Sequence, residues 1–201
     1  MPPLYAADTG TSLIMLDIVA DRYWRLGAAD AALVRARLER PDGEPDAFAA
    51  PWGRCDLATR AIVEGVAPTP TTFALDEPRR AERRLEALVA LVTWRGLLRR
   101  FGLARTLDWA GLPHRAGTRV TDPLTLAHGF EAARALAPFG RRCLPDSLAL
   151  NWLARHHGLP TTLVLGVRDR PFVAHAWVQL DGLVLGDPVE TVSEFTPILS
   201  R

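Results

Sequence analysis

The pattern of apolar and polar positions near the N-terminus predicts a small sheet followed by a helix. Residues 13–18 form an apolar, branched run, and residues 22–26 alternate around Tyr23 and Trp24, so we expect both segments to be strands. Apolar side chains then recur at helical spacing from Ala28 to Leu38, which indicates a helix.

Proline and glycine interrupt this pattern after the helix. We expect a loop over residues 40–54 and a short helix over residues 56–66. The next run, residues 68–72, has the proline-rich composition of a stiff connector. The sequence therefore predicts two domains, residues 1–72 and residues 73–201.

The second half of the chain has longer periodic segments. We expect three helices, over residues 77–101, 122–137 and 143–157. The apolar stripe of the first of these helices is expected at Leu85, Leu88, Val89, Val92 and Leu97. Three strands should follow, at residues 161–167, 172–180 and 183–186. Helices and hairpin strands in separate stretches indicate an α+β fold.

Composition and charge then narrow the functional classes. The chain has 201 residues. Its formal net charge of +1 is too small for strong electrostatic attraction to nucleic acid. Its 24 basic residues are all Arg, which excludes a lysine Schiff base and the lysine of a phosphate-binding loop. The spacings typical of metal sites are missing from the sequence, so we expect neither a metal nor a cofactor.

Cysteine usage and hydropathy predict a cytoplasmic protein. Two cysteines, Cys55 and Cys143, are too few for a disulfide framework and suit a reducing compartment. The first ten residues lack the basic region and apolar core of a signal peptide. No apolar run reaches the roughly 18 residues of a membrane span, so no membrane partner is expected.

Cys143 is the candidate nucleophile. It stands at the start of a predicted helix, with Pro145 and Asp146 suited to the first turn. Free backbone N–H groups and the helix dipole favour thiolate over thiol there, and two neighbouring arginines add positive charge. The alternative is a small buried apolar residue, which is the common fate of a free cysteine.

His175 and Asp187 are the candidate partners of this cysteine. A two-residue turn at Asp181-Gly182 would place them on opposite faces of the hairpin, whereas a three-residue loop would place them directly opposite each other. Directly opposed side chains start roughly 5 Å apart at Cβ, within reach of an imidazole–carboxylate hydrogen bond. We therefore predict the three-residue loop, Leu180-Asp181-Gly182.

These three residues together predict thiol chemistry at a carbonyl group. The Cys143 thiolate would attack, His175 would pair with the thiolate and protonate the leaving amine, and Asp187 would orient the ring. The backbone N–H of Cys143 would donate one hydrogen bond to the oxyanion, and the second donor stays open.

Several short motifs occur in order between Phe139 and Leu199. They are Cys143-Leu-Pro-Asp-Ser-Leu-Ala-Leu150, Gly158-Leu-Pro, Leu163-Val-Leu-Gly-Val-Arg168 and Pro171-Phe-Val-Ala-His-Ala-Trp-Val178, followed by Gly182 and Asp187. Together they resemble the leader peptidase of lasso peptide biosynthesis, the transglutaminase-like B protein of bacterial gene clusters. Papain-like and transglutaminase-like enzymes share this order of Cys, His and Asp.

The resemblance implies a fold, an activity and two partners. The fold would be that of a papain-like or transglutaminase-like cysteine peptidase, with the family's catalytic residues at Cys143, His175 and Asp187. Such an enzyme removes the leader from a ribosomally synthesised precursor peptide and leaves a free amine. A separate, ATP-using cyclase similar to asparagine synthetase would use that amine. Members often carry Glu where this chain has Gln179.

Residues 13–38 resemble the precursor-recognition domain that is often fused to this peptidase. The resemblance is carried by Leu16-Asp17 and by Arg22-Tyr23-Trp24-Arg25-Leu26, followed by a helix. It implies a winged-helix-like domain, in which a small sheet packs on three helices and the leader adds a strand to the sheet edge. The residues expected to contact the leader are Leu16, Tyr23 and Trp24, and ordinary packing is the alternative for the two aromatic residues.

Two other functions are compatible with the same residues. Acyl transfer to an amine, as in transglutaminases, differs from hydrolysis only in the acceptor. A non-catalytic scaffold that binds the precursor, with a vestigial triad, is the second alternative.

Overall fold

The computed structural model describes residues 4–38, 48–50, 53–55, 83–112 and 122–201. The N-terminal part contains β1 (Leu4–Asp8), β2 (Leu13–Asp17), β3 (Arg22–Arg25), α1 (Ala28–Leu38) and a short hairpin of β4 (Phe48–Ala50) and β5 (Gly53–Cys55). Three helices follow, namely α2 (Arg84–Gly111), α3 (Pro123–Leu136) and α4 (Cys143–His156). The C-terminal part contains β6 (Thr162–Arg168), β7 (Val173–Leu180), β8 (Leu183–Leu185), α5 (Val189–Val192) and β9 (Thr196–Ser200).

The N-terminal sheet has the antiparallel order β1-β2-β3, and its central strand β2 is buried on both faces. Leu13 and Met15 pack in the cluster that includes α1, whereas Ile14 and Leu16 belong to the main core on the other face. Two buried faces explain why residues 13–16 are apolar at every position instead of alternating. The sequence analysis missed β1, which completes this sheet.

The second sheet has the antiparallel order β8-β7-β6-β9. On one face α4 lies against β7 and β6, and α2 packs along α4. The other face carries a small apolar cluster that includes Trp177 and residues of α5. This mixture of helices and antiparallel sheets is the expected α+β fold. Across the described ranges, none of the helices has the length and apolarity needed to cross a membrane.

Helix boundaries agree with the sequence where local capping fixes them. The bounds of α1 are confirmed, and α3 begins as predicted because Asp122 accepts a hydrogen bond from the Thr125 N–H at 2.8 Å. The first long helix is different: α2 continues through a kink at Gly102 to Gly111. The predicted loop over residues 40–54 overlaps two short paired strands, β4 and β5, the second of which ends at Cys55. The predicted helix over residues 56–66 and the connector over residues 68–72 lie outside the described residues.

One hydrophobic core extends from the N-terminal sheet into the helices. Tyr5 and Ile14 belong to the same buried cluster as Trp94 of α2 and Leu148 of α4. The predicted boundary between residues 1–72 and 73–201 falls outside the described residues, and the two domains stay a prediction. The winged-helix-like arrangement also stays a prediction, because the described part of residues 1–72 contributes only α1 as a helix.

Asp169 fixes the N-terminal sheet to the second sheet. Its carboxylate accepts hydrogen bonds from Ser12 Oγ at 2.8 Å and Thr11 Oγ1 at 3.1 Å, and Arg25 Nη2 lies 2.5 Å from it. The hydrogen bond from Ser12 is the main cause that lowers the pKa of Asp169; burial opposes it, and Thr11 and Arg25 add to it. A carboxylate with a lowered pKa stabilises the fold above about pH 4, and this contribution is lost as the pH falls through the folded-state pKa.

We expect Asp169→Asn to lower the melting temperature at neutral pH, because the substitution removes the charge that pairs with Arg25. The difference from the wild type should shrink as the pH falls below about 4 and should vanish below the lowered folded-state pKa, where the wild-type carboxyl is also neutral. Thermal unfolding across pH measures both effects. Asp108→Asn, an exposed change on α2, is the matched control, and equal melting temperatures for all three proteins would contradict the role of Asp169.

Candidate active site

Cys143 is the first residue of α4 and a free cysteine; the residue as a whole is exposed, although its sulfur is partly covered by the groups around it. The helix begins here because Arg142 has an extended backbone and its N–H donates to Asp146 Oδ2 at 3.1 Å. Pro145 lies in the first turn, where its missing N–H costs no helical hydrogen bond. The sulfur therefore lies at the positive end of the helix dipole, as the sequence predicts.

The edge of β7 holds this helix start in place. Because β8 pairs with only the last three residues of β7, the backbone of Ala176 is left free to face α4. Ser147 Oγ donates to the Ala176 carbonyl at 2.8 Å, and Ala176 lines a small cavity beside Cys143, where its N–H helps to lower the pKa of the thiol. The sequence analysis missed Ser147. Its signal was the four-residue spacing from Cys143, which puts both side chains on one face of a helix.

The ring of His175 is fixed by stacking. It lies parallel to Trp177, with ring centroids 6.1 Å apart at an interplanar angle of 19°, and its centroid is 5.2 Å from that of Phe195. Trp177 is fully buried, and its Nε1 donates to Gln179 Oε1 at 3.0 Å. Gln179 therefore supports the residue on which His175 stacks.

Gly166 makes room for this stack. It pairs with His175 across the β6–β7 ladder. A Cβ atom at Gly166 would lie 2.7 Å from the Trp177 ring and 3.0 Å from Phe195 Cβ. Any side chain at this position would displace the indole ring and, through it, His175. Close packing therefore requires a glycine at position 166, within the motif Leu163-Val-Leu-Gly-Val-Arg168.

The hairpin between β7 and β8 corrects the predicted register. Leu180 pairs with Leu183, so the turn has two residues and the predicted three-residue loop is wrong. Asp181 and Gly182 have φ values of 46° and 83°. Positive φ at both central residues is the requirement of a type I′ turn, which matches the twist of the flanking strands.

Asp187 nevertheless reaches His175 by a different route. Strand β8 ends at Leu185, before the ladder would carry Asp187 to the far face. Gly186 then adopts a φ of 80°, which favours glycine, and the chain leaves the sheet direction. His175 Nε2 lies 3.5 Å from Asp187 Oδ1, an ion-pair distance. Asp187 therefore lies near the ring as expected, but the predicted register is wrong and Nε2 makes no hydrogen bond within the described residues.

The charges of the site favour a thiolate–imidazolium pair. Burial lowers the pKa of His175, but Asp187 and Cys143 outweigh it and raise the pKa to about 9. Burial also raises the pKa of the Cys143 thiol, whereas His175 and the N–H groups of Ala176 and Leu144 bring this pKa below its ordinary value. The attraction between the two charged forms is a cause common to both shifts.

Two cavities meet at Cys143. The smaller has a volume of about 180 Å³, and its lining includes Tyr23 and His175. The larger is an open groove of about 1150 Å³ between α2 and residues 139–145. Cys143 and Leu144 line both cavities, so a peptide that crosses the sulfur would enter both. The described side chains include no group of three or more His, Cys, Asp or Glu that could hold a metal ion.

The three residues expected to contact a leader have different surroundings. Leu16 is fully buried in the main core, so its side chain offers no surface to a peptide and this part of the expectation is corrected. Trp24 is half-buried and packs against the cluster that includes α1. Tyr23 faces the other way and lines the small cavity, with its ring centroid 5.4 Å from that of Phe172.

Comparison with known proteins shows the family. The model of a family described as "Transglutaminase-like superfamily" matches residues 85–200, which is more than half of the chain. The chain is 39% identical over 49 residues to the microcin J25-processing protein McjB of Escherichia coli, and this match spans only 24% of each of the two proteins. No solved structure matches the chain. The resemblance found in the motifs is confirmed, and the chain belongs to the transglutaminase-like superfamily.

Proposed function

We propose that this chain is a cysteine peptidase that removes the leader of a ribosomally synthesised precursor during lasso peptide maturation. The observation that carries the proposal is that Cys143, the first residue of α4, and His175 of β7 line the same small cavity, with Asp187 3.5 Å from His175 Nε2. The similarity to a protein named for microcin processing supports the substrate class.

The reaction follows from the positions of these groups. The Cys143 thiolate adds to the scissile carbonyl, and the N–H groups at the start of α4 donate to the oxyanion. The intermediate collapses to a thioester as the C–N bond breaks, and His175 gives its proton to the leaving amine. Water then adds to the thioester and loses a proton to His175, which releases the leader as a carboxylate and restores the charged pair.

Tyr23 is the proposed second donor to the oxyanion. It is the residue of the N-terminal sheet that lines the small cavity together with Cys143 and carries a phenol hydroxyl. Burial, followed by the charges of Asp21 and Cys143, raises the pKa of Tyr23 to about 12. The hydroxyl therefore stays protonated and able to donate throughout the working pH range of a cysteine peptidase. In this proposal the N-terminal sheet contributes directly to the chemistry.

We expect Tyr23→Phe to lower kcat by about 10²-fold, the usual cost of removing one oxyanion donor, with little change in leader affinity. Steady-state kinetics on the precursor, with binding measured separately, checks this. Tyr5→Phe is the matched control, since it removes the other phenol hydroxyl of the chain from the same face of the sheet. An unchanged kcat in Tyr23→Phe would remove Tyr23 from the mechanism.

The open edge of β3 is the proposed binding site for the leader. In the described sheet β3 pairs with β2 on one side only, so its other edge is free to add a peptide strand. Trp24 lies on this strand on the face toward α1, and Tyr23 lies on the face toward the active site. A leader bound here would pass close to Cys143. We also propose that residues 1–72 form a winged-helix-like domain that contains this sheet.

Mass spectrometry of the reaction in water enriched in ¹⁸O tests the proposed function. The substrate is a lasso precursor peptide that carries its leader, with an added primary amine as a competing acceptor. Hydrolysis places one ¹⁸O in the new leader carboxylate and leaves a core peptide with a free amine for a cyclase. An amide of the added amine would indicate acyl transfer instead, and an uncut precursor that still binds would indicate a scaffold.

A further inference from the structure

We infer that the larger cavity beside Cys143 binds a carboxylate-bearing stretch of peptide on the acyl side of the cleaved bond. We call this cavity the arginine groove, after the Arg95, Arg99, Arg141 and Arg142 side chains that line it. The inference rests on the proposed function and extends it, because it names the chemistry of the substrate segment that the enzyme prefers.

Charge makes the arginine groove selective. Four guanidinium groups line it, and no carboxylate of the described residues does. Arg141 is compensated by Glu131, which lies 2.9 Å away. Arg95, Arg99 and Arg142 have no ion-pair partner within the part of the chain that the structure describes. Because the whole chain carries a formal charge of only +1, this excess of guanidinium groups is local to the groove and not a property of the protein as a whole.

Arg95 is held in a fixed position at the wall of the arginine groove. Its Nη2 donates to the Gly140 carbonyl at 3.0 Å, and its guanidinium carbon lies 4.1 Å from the centre of the Phe139 ring. A guanidinium fixed by a backbone carbonyl and an aromatic ring loses little further freedom when it binds a carboxylate.

The direction of the peptide follows from His175. The leaving nitrogen must take its proton from His175, which lines the small cavity and not the arginine groove. The amine side of the bond therefore lies toward the small cavity, and the acyl side lies in the arginine groove. The groove volume of about 1150 Å³ exceeds that of ordinary small-molecule sites and suits several residues of extended peptide. Leu98 and Phe139 supply apolar contacts between the charges.

Peptidyl chloromethyl ketones test this inference on the full chain. The sulfur displaces chloride and forms a thioether, and the peptide portion of the reagent lies on the acyl side only. We compare the rate at which acetyl-Glu-Glu-Gly-chloromethyl ketone and its acetyl-Gln-Gln-Gly counterpart label Cys143, with the labelled site identified by mass spectrometry. The Glu reagent should react about tenfold faster, because its carboxylates gain charge-assisted hydrogen bonds.

The double variant Arg99→Gln/Arg142→Gln should bring this ratio close to one. Both side chains are exposed, so the fold should be unaffected. Arg100→Gln is the matched control on α2, because Arg100 does not line the groove, and it should keep the preference. High salt should also reduce the preference in the wild type.

The outcomes separate this inference from the proposed function. Suppose that the two reagents react at equal rates and that both label Cys143 far faster than an unactivated thiol. This result would contradict the inference about the arginine groove, but it would not contradict the proposed peptidase function. A preference for Glu that survives in the double variant would also overturn the inference about the groove. Slow labelling of Cys143 by both reagents and by iodoacetamide would mean that the thiol is not activated, and both proposals would fall.

Discussion

Replacing Cys143 by Ala is expected to slow leader removal by at least about 10³-fold, because the thiolate that forms the acyl-enzyme is gone. Leader affinity should stay unchanged, since the proposed binding edge is on β3 and the Cys143 side chain is exposed rather than part of the core. Cleavage followed by mass spectrometry and binding followed by calorimetry measure the two quantities on the same preparation.

Cys55→Ala serves as the control for loss of a thiol, and it should cleave at the wild-type rate. If the Cys143→Ala variant still removed the leader at a rate close to that of the wild type, the sulfur would not be the nucleophile. A loss of both cleavage and binding would place Cys143 in recognition rather than in chemistry.

Asp187→Asn is expected to lower kcat by about 10²-fold and to move the alkaline limb of the pH profile to lower pH. The active pair needs His175 protonated, so activity should be lost as the pH rises through the pKa of His175, which is about 9. The negative charge of Asp187 is one of the causes that raise this pKa. A neutral Asn withdraws that contribution, so His175 loses its proton at lower pH.

The pH dependence of kcat/KM on the precursor measures this shift. Glu190→Gln removes the same charge three residues further along, at an exposed position of α5, and should leave the profile unchanged. An alkaline limb that stays near pH 9 in Asp187→Asn would contradict the role of Asp187, whatever the size of the fall in kcat.

The sequence predicts elements well where their limits are local. The Asp122 cap and the start of α4 at Cys143 depend on neighbouring residues in the chain, and the structure confirms both. The same is true of β7, the strand that carries His175. By contrast, β1 is too short and too evenly apolar to be distinguished without the sheet that it completes.

The buried face of α2 shows what helical periodicity alone does not decide. The stripe expected from the sequence is largely on the surface, since Leu85, Val89 and Val92 are 79%, 64% and 53% exposed. The buried positions of the helix start are Ala87, Ala90, Leu91 and Trp94. Both sets have helical spacing, and the smaller alanines face the core because α4 packs closely there. Tertiary packing therefore decides which of the two apolar faces of α2 is buried.

The candidate triad was predictable as a set of residues but not as a geometry. The identity and order of Cys143, His175 and Asp187 are visible in the sequence. Their approach depends on the end of β8 and on the positive φ of Gly186, which a strand register cannot anticipate. The position of Tyr23 beside the active site was likewise hidden, because it depends on how the N-terminal sheet packs against the helices.

The ultraviolet absorbance of the thiolate, taken as the difference between wild type and Cys143→Ala across pH, tests the central claim directly. A Cys143 sulfur activated by His175 should titrate with a midpoint clearly below the ordinary thiol value of about 8.5, and His175→Ala should raise that midpoint. A midpoint at the ordinary value in the wild type, unmoved by His175→Ala, would contradict the account.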